Sequence, residues 1–297
     1  IRENLVGGTH GTPLPDGAGW PSPAILAPSA RPATAPYAVV VPVQPLVDAA
    51  ELSRVLTGSG RLFTAVNCVA TTGSTNADLA AAAASVAPSG TVLVADHQSA
   101  GRGRFDRRWE APPGSSVALS VLLRPGDLAL ERWLWLPLIT GVAVAEGLRA
   151  ATGIEATVKW PNDVLIEGRK VCGILAERVD SAAVIGIGIN TTLTTDELPV
   201  ATATSLALQG STAPATEIVL GVLTALEESC RRWVEGGDLP AWFGRRCSTI
   251  GLRVRVHQSQ DVSIDGLATG VDAWGRLVVS TPLGERAFAA GDVLHLR

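Results

Sequence analysis

The sequence predicts an α+β protein that ends in a small all-β module. Three observations carry this. Apolar, strand-length segments cluster at 157–166, 170–179 and 183–190, separated by the turns "EGR" and "DSA", which suit antiparallel hairpins. Segments of helical period lie before and after them. From Leu252 onward the strands become brief and are punctuated by turn residues, and about fifty residues of this kind suit a small β-barrel. Clustered strands flanked by helices point to a sheet covered on one face.

The elements follow in order. Residues 7–45 are dense in Pro, Gly, Ala, Ser and Thr, with nine prolines from Pro13 to Pro45 breaking any period, and read as a disordered tail. "LVDAAELSRVL" has helical spacing, "AVNCVA" is strand-like, and "STNADLAAAAASV" opens with a Ser or Thr cap before an alanine-rich helix. "TVLVADHQ" (91–98) is a strand, followed by a Gly/Arg-rich loop, the alternating strand "SSVALSVLLR" (115–124) and a long helix around 131–151. Helices are expected at 214–235 and 238–247, then the strands "RVRVH", "SIDGLATGVDA", "RLVVS", "ERAFAA" and "VLHLR". The expected division is a tail at 1–45, a main domain at 46–247 and a small C-terminal domain at 248–297, without internal repeats.

Composition excludes several function classes. A net charge of −4 argues against a broad nucleic-acid-binding face. Cys68, Cys172, Cys230 and Cys247 form no CxxC pair, and the four histidines show no ligand spacing with them, so reduced thiols without zinc are expected. The apolar run Trp133–Ala145 is too short to span a hydrocarbon core of about 30 Å and reads as a buried helix. No secretory signal is visible, which makes the cytoplasm the expected address. Lysine occurs only at Lys159 and Lys170, while the other 22 basic residues are arginine. Lysine was therefore retained where arginine would not serve.

Four stretches carry chemistry. In "QSAGRGRFDRRW" (98–109), glycines alternating with Arg102 and Arg104 let backbone N–H groups turn toward an anion while guanidiniums add charge, which suits phosphate or carboxylate. Arg-Gly strings also occur in RNA-binding segments, a rival that the net charge disfavours. In "VKWPNDVLIEGRK", Lys159 and Trp160 should end a strand, because Pro161 cannot donate to the ladder and Asn162-Asp163 favours a turn. A lysine at a sheet edge can simply reach solvent. A compact ammonium, though, can meet a carboxylate and a phosphate oxygen in turn where a guanidinium imposes a planar fork. In "VIGIGIN" (184–190), glycines in an apolar strand mark close approach of a ligand or of another backbone, as in tight sheet packing, and Asn190 ends the strand with a polar amide. "TTGSTNADL" places Ser74, Thr75 and Asn76 at a helix start.

Together these stretches resemble the biotin protein ligase family, in order and spacing, from about Leu46 to Arg297. The matching residues are G-S-T-N at 73–76, Q-x-x-G-R-G-R-x-x-R-x-W at 98–109, K-W-P-N-D at 159–163, G-R-K-V-C-G-I-L-A-E at 168–177, G-I-G-I-N at 186–190 and G-D-V-x-H-L-R at 291–297. The resemblance implies the mixed sheet shared with class II aminoacyl-tRNA synthetases and lipoate ligases, followed by an SH3-like barrel. It implies that biotin and ATP give biotinyl-5'-adenylate, which then acylates a lysine of the biotin carboxyl carrier domain of an acyl-CoA carboxylase. Magnesium would arrive with ATP, without a dedicated protein cage.

By motif match, Ser74, Thr75, Asn76 and Gln98 would hold the biotin ring, with Gly173 also against biotin. Arg102, Gly103 and Arg104 would cover its carboxylate and the phosphate. Lys159 would bridge carboxylate and α-phosphate and, with Arg104, act in catalysis. Trp109 would stack on adenine, and Asn162 and Asn190 would contact the nucleotide. Lys170 would support its turn. The Gly/Arg loop would order over the adenylate and exclude water. One departure is Asp106, where many relatives carry glycine, which leaves an ion pair with Arg107 or Arg108 as an open alternative. The resemblance leaves a DNA-binding role open, since some relatives carry an N-terminal winged helix; nothing before Leu46 suits one, so no DNA partner is expected, nor a membrane, and a monomer or weak homodimer is expected. A lipoate or octanoate ligase or transferase of the same fold is the nearest rival.

Overall fold

A computed structural model describes residues 45–85, 87–258 and 262–296. The expected tail, and with it the question of a DNA-binding segment ahead of Leu46, lies outside the described residues apart from Pro45. The chain first forms α1 (Ala49–Leu56), capped by Asp48, whose Oδ1 accepts from the Ala50 and Glu51 N–H groups. Then come β1 (Ala65–Thr72), α2 (Thr75–Ser85), β2 (Thr91–Gln98) and β3 (Ser116–Leu123). A 3-10 turn at Leu130–Trp135 leads into α3 (Leu136–Thr152). β4 (Thr157–Lys159), β5 (Asp163–Ile166), β6 (Arg169–Val179) and β7 (Ala182–Asn190) follow, then α4 (Ala215–Glu235) and α5 (Leu239–Gly244).

These strands form one seven-stranded sheet, ordered β1-β2-β3-β7-β6-β5-β4, in which β1 and β2 pair in parallel and the rest are antiparallel. Mixed pairing follows from the connections: α2 returns the chain to the same end of the sheet, whereas short turns reverse it elsewhere. The segment expected as one strand, 157–166, is two. It breaks at Trp160–Asn162, around a cis Trp160–Pro161 peptide, so Lys159 does close a strand.

The expectation of a sheet covered on one face needs correction. Every residue of β3 is buried. Val117, Leu119, Val121 and Leu123 enter the main core with the apolar residues of α3 and α4, whereas Leu122 packs with Leu79 of α2 and Val184 of β7. The serine–apolar alternation of β3 therefore turns its polar side toward α2 and a cavity rather than toward solvent. The helical span Leu130–Thr152 is long and apolar enough to cross a membrane, yet most of it is buried inside the protein, where Ile139, Val142 and Leu148 fill the core.

The C-terminal strands, β8 (Arg253–His257), β9 (Ser263–Val271), β10 (Leu277–Thr281), β11 (Gly284–Phe288) and β12 (Asp292–His295), pair antiparallel in the order β11-β10-β9-β8-β12. Among the described residues β11 and β12 are not paired with each other, so the expected barrel is an open five-stranded sheet. Its inner residues, among them Val254, Val256, Leu277 and Val279, belong to the same apolar cluster as the first sheet. Two fully buried tryptophans join the parts: Trp135 Nε1 donates to Ala273 O (2.9 Å) and Trp160 Nε1 to Gly275 O (3.1 Å). This packing brings β12 beside Lys159, where Thr249 Oγ1 accepts from Trp160 N (3.0 Å) and lies 3.1 Å from His295 Nε2.

Candidate functional site

A cavity opens over the start of α2 and strands β6 and β7, beneath the Gly/Arg loop. Its floor is a closed polar network. Ser74 precedes α2, its Oγ 3.4 Å from the Ala77 N–H it caps. Gln98 Oε1, at the end of β2, accepts from Thr75 N (2.8 Å) and Thr75 Oγ1 (3.1 Å). A backbone N–H can only donate, so this pairing fixes the amide and leaves Gln98 Nε2 as the free donor. Asn76 is fixed in the same way. Its Nδ2 donates to Leu175 O (3.1 Å) and Glu177 Oε2 (2.7 Å), and its Oδ1 accepts from Ser120 Oγ (2.6 Å). With both donors spent, Asn76 can offer a ligand only a remaining acceptor position. Ser74, Thr75, Asn76 and Ser120 are all buried. A floor of this kind is rigid and suits a compact, neutral polar group.

The glycines of β7 make room for this floor. A Cβ at Gly186 would collide with Asn76 Oδ1, and one at Gly188 would stand 2.5 Å from Trp109 Cε2. The glycines of "VIGIGIN" thus admit side chains of the site itself, where another backbone or a ligand was expected. Trp109 lies in the slot over Gly188 and Gly173, with its buried Nε1 unpartnered. Asn190, the end of the motif, does not line the cavity. Its Nδ2 donates to Thr204 O (2.9 Å) and its carbonyl accepts from Leu206 N, so it anchors the 191–206 connection.

The loop is held over the cavity by side chains rather than by packing. Arg102 pairs with Glu177 at 2.8 Å. Arg104 donates to Asn162 Oδ1 (2.8 Å) and Gly291 O (3.2 Å), and Arg107 NH2 is 2.8 Å from both oxygens of Asp292. Phe105 and Asp106 sit at φ of 54° and 58°. That left-handed turn is one glycine adopts freely, and aspartate is among the few other residues that adopt it. The question of an Asp106 partner is also answered: Arg107 goes to Asp292 and Arg108 approaches Glu110 (3.8 Å), and Asp106 has no ion pair among the described residues. Phe105 is 61% exposed, with the Arg104 and Arg107 guanidiniums 4.8 and 5.7 Å from its ring centre.

The two lysines stand differently from expectation. Lys170 lines the cavity, its Nζ 2.5 Å from Asp163 Oδ1 and 6.0 Å from the Trp109 ring centre. A β-bulge puts it there. Val164 pairs with Cys172 and Leu165 with Lys170, which leaves Val171 as an extra residue in β6. Strict alternation would send Lys170 to the face opposite Gly173, whereas the bulge returns it to the same face. Sequence period alone could not reveal this. Lys159 does not line the cavity; it stands behind, directly across the hairpin from Asp163. No hydrogen bond or ion pair within 4 Å engages its side chain among the described residues, its backbone being held in the β4–β5 ladder. Burial lowers its pKa, with Lys170 and Arg107 adding to that and Asp163 and Asp292 opposing it.

The cavity lining holds Arg102, Arg104, Arg107, Arg108 and Lys170 against the carboxylates Asp163 and Asp292. This cationic surplus favours an anionic ligand beside the neutral floor. Burial also depresses the Arg104 pKa, but a guanidinium stays charged. Of the expected site residues, Ser74, Thr75, Asn76, Gln98, Arg102, Gly103, Arg104, Trp109, Asn162 and Gly173 converge on the cavity; Lys159 and Asn190 lie outside its lining. Ser120, Glu177 and Asp292 were missed. Ser120 had a signal in the polar position it breaks into a buried strand; Glu177 and Asp292 become meaningful only through their arginine partners.

Comparison with known proteins adds to the geometry. A model of the Biotin/lipoate A/B protein ligase family matches residues 70–191, and a model of the Biotin protein ligase C terminal domain matches residues 249–296. A biotin acetyl-CoA-carboxylase ligase from Mycobacterium tuberculosis is 40% identical over 86% of this chain and 98% of its own length. A ligase with the same name from Paracoccus denitrificans is 32% identical over 76% of this chain and 98% of its own. The structure of biotin protein ligase from Aquifex aeolicus in complex with biotin and ATP superposes with a TM-score of 0.67 at 28% identity, covering 79% of this chain and all of that one. With identity running through almost the whole length of a relative, and both family models falling on the two sheets in the right order, the chain belongs to the biotin protein ligase family.

Proposed function

We propose that this protein is an ATP-dependent biotin protein ligase that forms biotinyl-5'-adenylate and passes biotin to a lysine of a biotin carboxyl carrier domain. The observation that carries the reading is one cavity with two chemistries: a rigid neutral polar floor and, within the same walls, a cationic rim. Biotin has that shape of polarity, a ureido ring at one end and a carboxylate at the other. Gln98 Nε2 and the Ser74 and Thr75 hydroxyls meet the ring; Asn76, braced from beneath by Ser120, offers its acceptor. Arg102 and Arg104 meet the carboxylate and the α-phosphate. Trp109 and Asn162 flank the nucleotide, and magnesium enters with ATP as part of that substrate.

Lys170 replaces Lys159 in direct contact with the carboxylate–phosphate junction, because it reaches the cavity and Lys159 does not. A cation there offsets negative charge as the carboxylate attacks the α-phosphate. Lys159 instead adds positive potential from behind Asp163. Asn190 holds the connection after β7 and acts on the nucleotide only through it. The catalytic part is assigned to 46–247 and a supporting part to 248–297, which supplies Asp292 and the Gly291 carbonyl to the loop. The four cysteines are free, as in a reducing compartment, which supports a cytoplasmic enzyme.

The test is incubation of the full chain with ATP, a carrier domain and either labelled biotin or labelled lipoate. ATP-dependent transfer of biotin is expected. Transfer of lipoate alone would hand the site to the neighbouring ligase class.

A further inference from the structure

We infer that Glu177 is a positioning residue that couples the floor of the cavity to the loop above it, an inference that rests on the biotin reading of the site. A single oxygen, Glu177 Oε2, accepts from Asn76 Nδ2 (2.7 Å) and from Arg102 NH2 (2.8 Å). One donor belongs to the buried floor, the other to the loop. Glu177 reaches both because it shares with Gly173 and Leu175 the cavity-side face of β6, two residues apart along the strand. Its side chain is 29% exposed and that of Arg102 46%, so the pair stands at the mouth, open to exchange with water.

The chemistry has two consequences. First, the carboxylate is an acceptor only, so it allows just one orientation of the Asn76 amide, with Oδ1 toward Ser120. Without the charge, Nδ2 loses its shorter, charge-assisted acceptor and keeps the Leu175 carbonyl, so the amide holds its orientation less firmly. Second, the same carboxylate holds the first arginine of the loop at the end of the cavity where the substrate carboxylate enters. Whatever fixes the floor therefore also closes the loop. Glu177 touches neither reacting atom; it acts through Asn76 on substrate affinity and through Arg102 on retention of the adenylate.

The experiment compares the full chain with its Glu177→Gln, Glu177→Ala and Glu177→Asp variants. Glu177→Gln keeps the volume and is expected to fold with an unchanged melting temperature. Its KM for biotin should rise roughly tenfold, the loss of charge-assisted hydrogen bonds, with the KM for ATP and the single-turnover rate at saturating biotin within about twofold. Bound adenylate should escape faster, and trypsin should cut after the loop arginines of the ligand-free protein more quickly. Glu177→Ala should exceed both effects, and Glu177→Asp, which reaches one partner but not both, should restore only part of them. A folded Glu177→Gln variant with wild-type KM for biotin and wild-type loop cleavage would overturn the proposal. If the wild-type chain made no biotinyl-adenylate, the functional reading would fail instead, and the trypsin comparison would still decide whether Glu177 clamps the loop.

Discussion

The floor and the loop of this cavity face each other and are built on opposite principles. The floor is buried, its amides oriented by backbone groups and a carboxylate, its space reserved by Gly186. The loop is largely exposed and held by arginine side chains, with Arg107 59% exposed in its contact to Asp292. Buried hydrogen-bonded networks tolerate little change, whereas exposed ion pairs contribute little to stability and weaken with salt. On the proposed reading of the site, recognition falls where the protein is stiff, and retention of a reactive intermediate where it can open.

The largest effect is expected at the floor. Gly186→Ala drives a methyl group into Asn76, so biotin-dependent pyrophosphate release should fall by about a hundredfold or more, at a stability cost of about 1–3 kcal/mol read by denaturant melts. Next comes the lysine pair. Lys170→Gln should lower single-turnover adenylate formation by roughly a hundredfold, while Lys159→Arg, which keeps the charge behind Asp163, should cost about tenfold or less. The reverse ranking would return the central role to Lys159.

Smaller effects belong to the loop and its support. Arg107→Ala should change stability by no more than about 1 kcal/mol, yet shorten the lifetime of bound adenylate severalfold, and added salt should reproduce part of that loss in the wild type. The smallest concerns His295, whose pKa is lowered by burial and then by Lys159. A depressed histidine pKa means that the unfolded chain binds the proton more readily. Stability from this site is complete above the unfolded pKa of about 6.5 and is lost as pH falls toward the folded value. His295→Gln should therefore flatten the decline in melting temperature between about pH 7 and pH 5.

Much of this was legible in the chain. The helix and strand segments followed from period, and the polar residues before α2, the Gly/Arg loop and the glycines of β7 were marked by residue types that ordinary packing would not select. What stayed hidden depends on contacts between segments that local pattern does not carry. The second covered face of the sheet was masked because serines in β3 serve a cavity and mimic a solvent-facing alternation. Lys170 was hidden by a bulge, since one extra residue reverses every inference from parity. Glu177 and Asp292 were hidden because an acidic residue has no signature until its arginine partner, 75 or 185 residues away, is brought to it.

The division between floor and loop is tested most directly by following enzyme-bound biotinyl-adenylate with time in wild-type, Gly186→Ala and Arg107→Ala proteins. The floor variant should form adenylate slowly, and the loop variant should form it at close to the wild-type rate and lose it quickly to solution. If both variants slowed formation alike, or if both lost adenylate alike, floor and loop would not have separate tasks and the account would be contradicted.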